Sequence, residues 1–246
     1  MDQSVIDFFN EWHKFSHYST LNARPEEFKN WQGNEGLTRQ YAHWIEQSSN
    51  CPSLKLDMPV PHNEMTREAF ALLDEFVKHR GEQHPGWKSL VIHGYDKHTT
   101  DDWKSDAYSF TEKPNYTWTE IADKCPVTVN WLKNTWSFNS FDRVRFMLLE
   151  PGGYIKPHAD YETRKLAAYN VAVNNPNGVE FVMEDAGLIP WQPGDARAID
   201  IGRRHMVRHM GTEPRIHMII HGAPSLKHYQ TVCRSYDLLL DELNES

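Results

Sequence analysis

The residues of this chain best suited to chemistry are histidines with an acidic residue two positions on. Two such triplets occur, His62-Asn63-Glu64 and His158-Ala159-Asp160. A chain with 14 histidines and 34 acidic residues yields about as many by chance, so position has to separate them. His62-Asn63-Glu64 stands where a helix should begin, with Asn63 as its N-cap and Glu64 favoured by the helix dipole. His158-Ala159-Asp160 ends an extended segment that follows the turn Pro151-Gly152-Gly153. Residues i and i+2 of a strand point to one side, so this imidazole and carboxylate project together. They make two-thirds of a 2-His-1-carboxylate triad, the ligand set that leaves positions open on a non-haem Fe(II).

The remaining ligand must come from downstream, where His205, His209, His217 and His221 are available. His205 follows the predicted strand Ala196–Ile201 and precedes the turn Met210-Gly211-Thr212-Glu213-Pro214. A hairpin centred near Met210 would set His205 opposite Arg215, with Cβ atoms about 5 Å apart. A planar, permanently charged guanidinium beside a metal suits a bidentate carboxylate. The plainer readings are a strand-end histidine bonded to backbone and an arginine in a rim salt bridge.

These residues need strands to hold them, and the chain changes character near residue 140 to supply them. Before it, helical spacing dominates: Val5, Phe8, Phe9, Trp12 and Phe15 share one face, and Ala69, Phe70, Leu73, Phe76 and Val77 another. Thr117-Trp118-Thr119-Glu120 has the form of a capping box, and a further helix runs from Pro126 to about Asn134. From Arg143 to Gly222 the pattern is strands between turn residues, at Arg143–Glu150, Tyr154–His158, Leu166–Val173, Val179–Glu184, Ala196–Ile201 and Arg215–His221. After Pro224 the chain is helical again through Tyr236, Leu239, Leu240 and Leu243.

The expected fold is mainly β with flanking helices, built on a jelly-roll core. It is one domain: residues 1–140 a mostly helical region packed on the core, 141–222 the jelly roll, and 223–246 a C-terminal helix. The aromatic-rich first region, with Trp12, Trp31, Trp44, Trp87, Trp103 and Trp118, would form a lid or a helical buttress, and buttress is the expectation for most of these tryptophans because large aromatics bury well.

Composition narrows the classes. Hydrophobic residues at 39% and charged residues at 24% describe a globular chain without a membrane span. A net charge of -8 argues against a nucleic-acid footprint and against a polybasic membrane surface. Cys51, Cys125 and Cys233 are too few and too scattered for a disulfide framework, and the first residues carry no signal-peptide pattern. The expectation is a cytoplasmic protein.

The run from Arg143 to Asp160, RVRFMLLEPGGYIKPHAD, is followed in order by Asn175-Pro176 before Val179-Glu180-Phe181, Pro193-Gly194-Asp195, Ile199-Asp200, His205, and Arg215 ten positions later. This set resembles the aspartyl/asparaginyl β-hydroxylase family of Fe(II)/2-oxoglutarate dioxygenases, whose bacterial members include free-proline hydroxylases. The resemblance spans about Trp118 to Gly222. It implies a double-stranded β-helix of cupin-like type, with Fe(II) on His158, Asp160 and His205 and the distal carboxylate of 2-oxoglutarate on Arg215. It also implies oxidative decarboxylation to succinate and CO₂, with O₂ consumed and an aliphatic carbon hydroxylated.

The family's Arg-x-His on the strand after the metal motif is replaced here by Ala167 and Tyr169, which makes Tyr169 the expected donor to the cosubstrate. Arg145, on one face with Arg143, would supply a second anion contact, or else lie on a solvated edge or in a structural ion pair. His217, on one face with Arg215, would line the pocket or be a satisfied core histidine. Arg143, Arg145, Arg164 and Lys165, clustered in an acidic chain, either suit a substrate with a carboxylate, a free amino acid or a peptide side chain, or are salt-bridged to Glu150, Asp142 or Glu162. The competing readings are a non-catalytic jelly-roll module binding a metal or small acid, and zinc-dependent hydrolysis at the same ligands.

Overall fold

The computed structural model describes residues 1–80, 83–99 and 115–245. Trp103 lies outside the described residues. Helices α1 (Gln3–Trp12) and α2 (Glu35–Ser48) come first, then strand β1 (Ser53–Lys55) and α3 (His62–Phe70). Strands β2 (Val77–Lys78), β3 (Trp87–Gly94) and β4 (Thr117–Trp118) precede α4 (Glu120–Lys124) and α5 (Pro126–Trp131). The long strand β5 (Phe138–Leu149) leads into β6 (Tyr154–His158), β7 (Leu166–Ala172), β8 (Val179–Met183) and β9 (Gly187–Leu188). Then follow β10 (Ala196–Asp200), β11 (His205–His209), β12 (Arg215–Pro224) and the closing helix α6 (Leu226–Glu245).

Two antiparallel sheets share the work. The larger runs β1-β10-β7-β12-β5-β3-β2 with β4 beside β3, and the smaller runs β6-β11-β8-β9. They face each other, with Leu149, Ala172 and Ile199 of the larger sheet packed on Ile155, Phe181 and Val207 of the smaller. This is the double-sheet jelly roll expected from the strand spacing.

Strand parity decides what each face carries. Val144, Phe146 and Leu148 of β5, Tyr169 and Val171 of β7, and Ile216, Met218 and Ile220 of β12 turn outward into one apolar core. Helices α2 and α6 cover that face through Tyr41, Ile45, Val232 and Tyr236. Each such aliphatic or aromatic side chain contributes about 1.5–3 kcal/mol on full burial, so this side is the stabilising face. The alternate residues, Arg143, Arg145 and Met147 of β5 and Arg215, His217, Ile219 and His221 of β12, line the space between the sheets. One side of the strands holds the fold together and the other is left for chemistry.

The amphipathic α1 closes the far side of the smaller sheet, setting Val5 and Phe8 on Val182 and Met206. Its N-cap Asp2 accepts from Ser4 N–H and pairs with Lys156 at 2.7 Å.

Several local expectations shift. The first 140 residues contribute strands as well as helices, chiefly β3, which pairs with β5. The apolar run Leu90-Val91-Ile92 is fully buried, and such a run has no alternation to mark it as a strand. Helix α3 begins at His62 after Pro61, so Asn63 sits inside it rather than capping it. The face from Ala69 to Val77 breaks after Phe70 into a short 3₁₀ turn and β2. Thr117 and Trp118 are strand residues, and the cap of α4 is Thr119, whose hydroxyl accepts from Ile121 N–H.

Candidate active site

His158 is the last residue of β6 and His205 the first of β11, and the two are direct antiparallel partners. Their ring centroids lie 4.5 Å apart. His158 Nδ1 is 2.7 Å from Lys156 O, and His205 Nδ1 is 2.9 Å from Arg203 O. A carbonyl can only accept, so both rings carry a proton on Nδ1, and Nε2 is the nitrogen of each that is turned toward the group. Asp160 completes the group, with Oδ1 3.5 Å from His158 Nε2. The ligand atoms of His158, Asp160 and His205 lie within 4.8 Å of one another.

The three residues differ in exposure in a useful way. His205 is buried under Phe181, whose ring stacks on it at 5.5 Å and 3°. Burial, together with the nearby His158, pushes the His205 pKa down to about 4, so it is neutral near pH 7. The Asp160 side chain is 48% exposed, which leaves that side of the group open to the cavity.

The loops that carry these residues are tied to each other. Asp160 N–H donates to Ile201 O at 2.9 Å. Asp200 Oδ1 accepts from Lys165 N–H at 2.8 Å and Gly202 N–H at 3.1 Å, and its Oδ2 accepts from Arg203 Nε at 3.0 Å. Arg203 is fully buried and reaches Asn50 O of the N-terminal region at 3.1 Å. Gly202 allows this close approach: a Cβ there would meet Thr163 O at 2.1 Å.

A cavity of about 350 Å³ opens between the sheets, with the three residues on one wall and Arg215, His217, Arg145 and Arg143 among those on the other. That volume lies within the ~300–1,000 Å³ range of small-molecule sites. Arg215 is 4% exposed, and burial pushes its pKa down to about 9. Its Nη2 donates to His217 Nδ1 at 2.8 Å, while its Nε has no partner. Further along the same wall Arg145 lies 3.4 Å from His221 Nε2. Burial first, then the charges of Arg145 and Arg143, push the His221 pKa down to about 3. His79 of the N-terminal region also lines the cavity, its pKa lowered to about 2 by burial and by Arg145. Asp160 is the only carboxylate among the described lining residues.

The residues fit the groups that the resemblance implies. Two imidazole Nε2 atoms and a carboxylate make a facial donor set for Fe(II). A buried guanidinium with an orphaned Nε–H calls for an anionic acceptor such as a carboxylate of 2-oxoglutarate.

Several sequence expectations are corrected by the geometry. His205 does not sit across a hairpin from Arg215: β11 belongs to the smaller sheet and β12 to the larger. The turn between them carries the chain from one sheet to the other, so the two residues line opposite walls of one cavity. Tyr169 does not donate into the site. It faces the helices, with its hydroxyl on Glu46 Oε1 at 3.1 Å and its ring against Trp136 and His228. Ala168 and Asn170 are the β7 residues that line the cavity, one position out of phase with the expected pair. The side chain of Ala167 lies outside the described residues.

Arg164 and Lys165 also leave the cluster. Arg164 pairs with Asp185 at 2.8 Å, and Lys165 Nζ lies over the Tyr161 ring. Of the other downstream histidines, His209 is held by Glu213 O and Gly211 N–H, away from the triad. His217 and His221 stand on the facing wall. Sequence reasoning quoted Asp200 within the motif set but gave it no role, and passed over Arg203, Asn50 and His79. Asp200 and Arg203 precede His205 closely enough to have signalled a role, whereas Asn50 and His79 are distant in sequence and gave no sign.

A family profile described as aspartyl/asparaginyl beta-hydroxylase matches residues 61–223. Among solved structures, an oxidoreductase of the 2OG-Fe(II) oxygenase family from Burkholderia pseudomallei is 13% identical, with 76% of this chain and 92% of that chain covered and a TM-score of 0.45. A Pseudomonas putida prolyl-4-hydroxylase is 12% identical, covering 71% and 94%, with a TM-score of 0.40. The viral collagen prolyl hydroxylase of Paramecium Bursaria Chlorella virus-1, in its 2OG complex, is 13% identical, covering 69% and 94%, with a TM-score of 0.39. No curated protein sequence matches the chain.

Proposed function

The chain belongs to the aspartyl/asparaginyl β-hydroxylase family, and on that premise we propose that it hydroxylates an aliphatic carbon of a free amino acid or of an amino-acid side chain in a peptide. It is an Fe(II)/2-oxoglutarate-dependent dioxygenase. In this reading His158, Asp160 and His205 hold the iron, and Arg215 holds the distal carboxylate of 2-oxoglutarate. When bound, the two together supply the oxidising chemistry, in which O₂ is consumed and succinate and CO₂ leave.

The observation that carries the reading is the pairing of two opposed walls: a close His-Asp-His group on one, and a buried arginine without a carboxylate partner among the described residues on the other. The protein's own contribution is positional. The Nδ1–H bonds aim both Nε2 atoms, Phe181 covers one side of His205, and Ile155 and Val207 on one wall and Ile219 on the other give the cavity apolar lining, which disfavours water near the reacting centre.

The substrate class is supported by charge. Arg143 and Arg145 lie on the cavity wall of an acidic protein, where local positive charge attracts a carboxylate-bearing molecule. Nucleic acid fits poorly with a net charge of -8. No helix among the described residues is long and apolar enough to cross a membrane. All three cysteines are buried and unpaired, which supports a cytoplasmic setting.

The test is mass spectrometry after incubation with Fe(II), 2-oxoglutarate and a full amino-acid panel, with proteome-derived peptides in parallel. A product heavier by one oxygen on either panel, formed with succinate, is the expected result. Oxidation of nucleobases or lipids with none on either panel would overturn the substrate assignment.

A further inference from the structure

The deep end of the cavity departs from the usual way of fixing a buried arginine. Arg215 has no carboxylate beside it, and the only side-chain hydrogen bond it makes among the described residues is from Nη2 to His217 Nδ1, at 2.8 Å. A guanidinium cannot accept, so Nδ1 accepts and the neutral ring carries its proton on Nε2. Burial and the adjacent Arg215 charge hold the His217 pKa well below its ordinary value, so the ring is neutral. Its Nε2 meets no polar partner, and the Trp191 ring packs edge-on against the imidazole at 4.6 Å and 70°. Met147 and Ala172 flank His217 on the neighbouring strands. The imidazole is held by its bond to Arg215 and by the packed Trp191 ring.

Resting on the assignment of the cosubstrate's distal carboxylate to Arg215, we propose that His217 is a positioning residue that orients the guanidinium through a neutral acceptor and leaves its full positive charge to that carboxylate. A carboxylate in the place of His217 would fix the guanidinium as well. It would also neutralise the charge and compete with the incoming ligand. The imidazole takes one Nη2 proton and leaves Nε–H, which has no partner, with the remaining Nη protons as the fork for a bidentate carboxylate. The cavity-facing residues of β7 are Ala168 and Asn170, which carry no charge. The distal end therefore bears more of the recognition, and the aim of Arg215 matters correspondingly more.

The experiment is calorimetric titration of the Mn(II)-loaded protein, without O₂, with 2-oxoglutarate and with pyruvate, which has the keto-acid end but no distal carboxylate. His217→Phe is expected to weaken 2-oxoglutarate about tenfold or more while pyruvate changes less than about twofold. His217→Gln, which restores a neutral acceptor, should recover 2-oxoglutarate to within about threefold of the original. His217→Glu restores an acceptor but adds a charge, and should bind 2-oxoglutarate more weakly than His217→Phe. A merely structural role would weaken both ligands alike. Equal losses for the two ligands, unchanged 2-oxoglutarate binding in His217→Phe, or His217→Glu binding as tightly as His217→Gln would each overturn the proposal. Should His217→Phe fail to fold, the Gln and Glu variants decide between them. Arg215→Leu separates the two levels of the argument: if it binds 2-oxoglutarate normally, the anchor itself is wrong, whereas if it fails while His217→Glu binds normally, only the role of His217 falls.

Discussion

His158 and His205 are cross-strand partners in the smaller sheet, each donating Nδ1–H to the carbonyl two residues before it. The spacing of their Nε2 atoms is therefore set by the register of β6 on β11, which is a rigid feature of the sheet. Asp160, just past the strand end, is tied through its own N–H to Ile201 O in the turn that leads to His205. Both imidazoles are thus positioned by backbone carbonyls, and the Asp160 carboxylate lies 3.5 Å from His158 Nε2.

Single alanine substitutions should accordingly remove metal binding without unfolding the protein. His158→Ala, Asp160→Ala and His205→Ala are each expected to lose iron-dependent succinate formation and measurable Fe(II) binding, with circular dichroism unchanged. His209→Ala, which loses contacts to Glu213 O and Gly211 N–H, should bind iron normally and lose only stability. Iron binding that survives His205→Ala and disappears in His209→Ala would reverse the assignment.

Much of this arrangement was legible because strand parity is a strict rule. The six strands read between Arg143 and His221 are present, and the faces of β5 and β12 divide as alternation requires, with Arg145, Arg215 and His217 inward and Phe146, Ile216 and Met218 outward. Parity also explains the failure at Tyr169. A reading displaced by one residue sends a side chain to the opposite face, and Tyr169 ends among the helices while Ala168 and Asn170 face the cavity. The placement of His205 opposite Arg215 failed for a different reason. Turn residues such as Met210-Gly211-Thr212 signal a reversal but do not say whether the returning strand joins the same sheet or the one facing it. The contribution of Asn50 was unreadable, since nothing local ties it to a buried arginine 153 positions later.

Arg215 provides the second prediction. Truncating one member of a buried, hydrogen-bonded charge pair costs about 2–5 kcal/mol. Arg215→Ala should therefore raise the Kd for 2-oxoglutarate at least ~30-fold, while Fe(II) affinity measured without cosubstrate stays within error. Calorimetry with each ligand separately checks both halves. A variant that keeps its affinity for 2-oxoglutarate would show that the buried guanidinium serves another anion.

The Asp200–Arg203 pair gives a third. Both side chains are nearly inaccessible, at 2% and 0%, and Asp200 also accepts from two backbone N–H groups that fix the loops around Asp160 and His205. Removing one partner of a buried pair strands the other charge and costs about 3–5 kcal/mol. Asp200→Ala should lower stability by that amount in urea unfolding, and should also weaken Fe(II) binding because the two loops lose their common anchor. A stability loss with unchanged iron affinity would mean that His158, Asp160 and His205 hold their places without the Asp200–Arg203 pair.

The last prediction concerns acid. His228 is buried against Trp136, with Nδ1 3.1 Å from Trp136 O. Burial lowers its pKa from 6.5 to about 4, against the raising effect of that carbonyl. The group is therefore neutral in the folded protein at pH values where the unfolded chain already binds a proton. Since stability rises with pH wherever the unfolded state holds more protons, the contribution is fully present above 6.5 and is lost as pH falls toward about 4. His79 and His221, lowered to about 2 and about 3, act in the same sense. Urea unfolding at steps from pH 7 down to about pH 5 should show stability falling with acid. In His228→Gln the slope should be shallower by about one proton, or ~1.4 kcal/mol per pH unit. The slope rather than the absolute stability is the readout, because the substitution also disturbs packing around Trp136. Equal slopes in the two proteins would show that His228 is protonated in the fold and that its burial is compensated by a partner other than the Trp136 carbonyl.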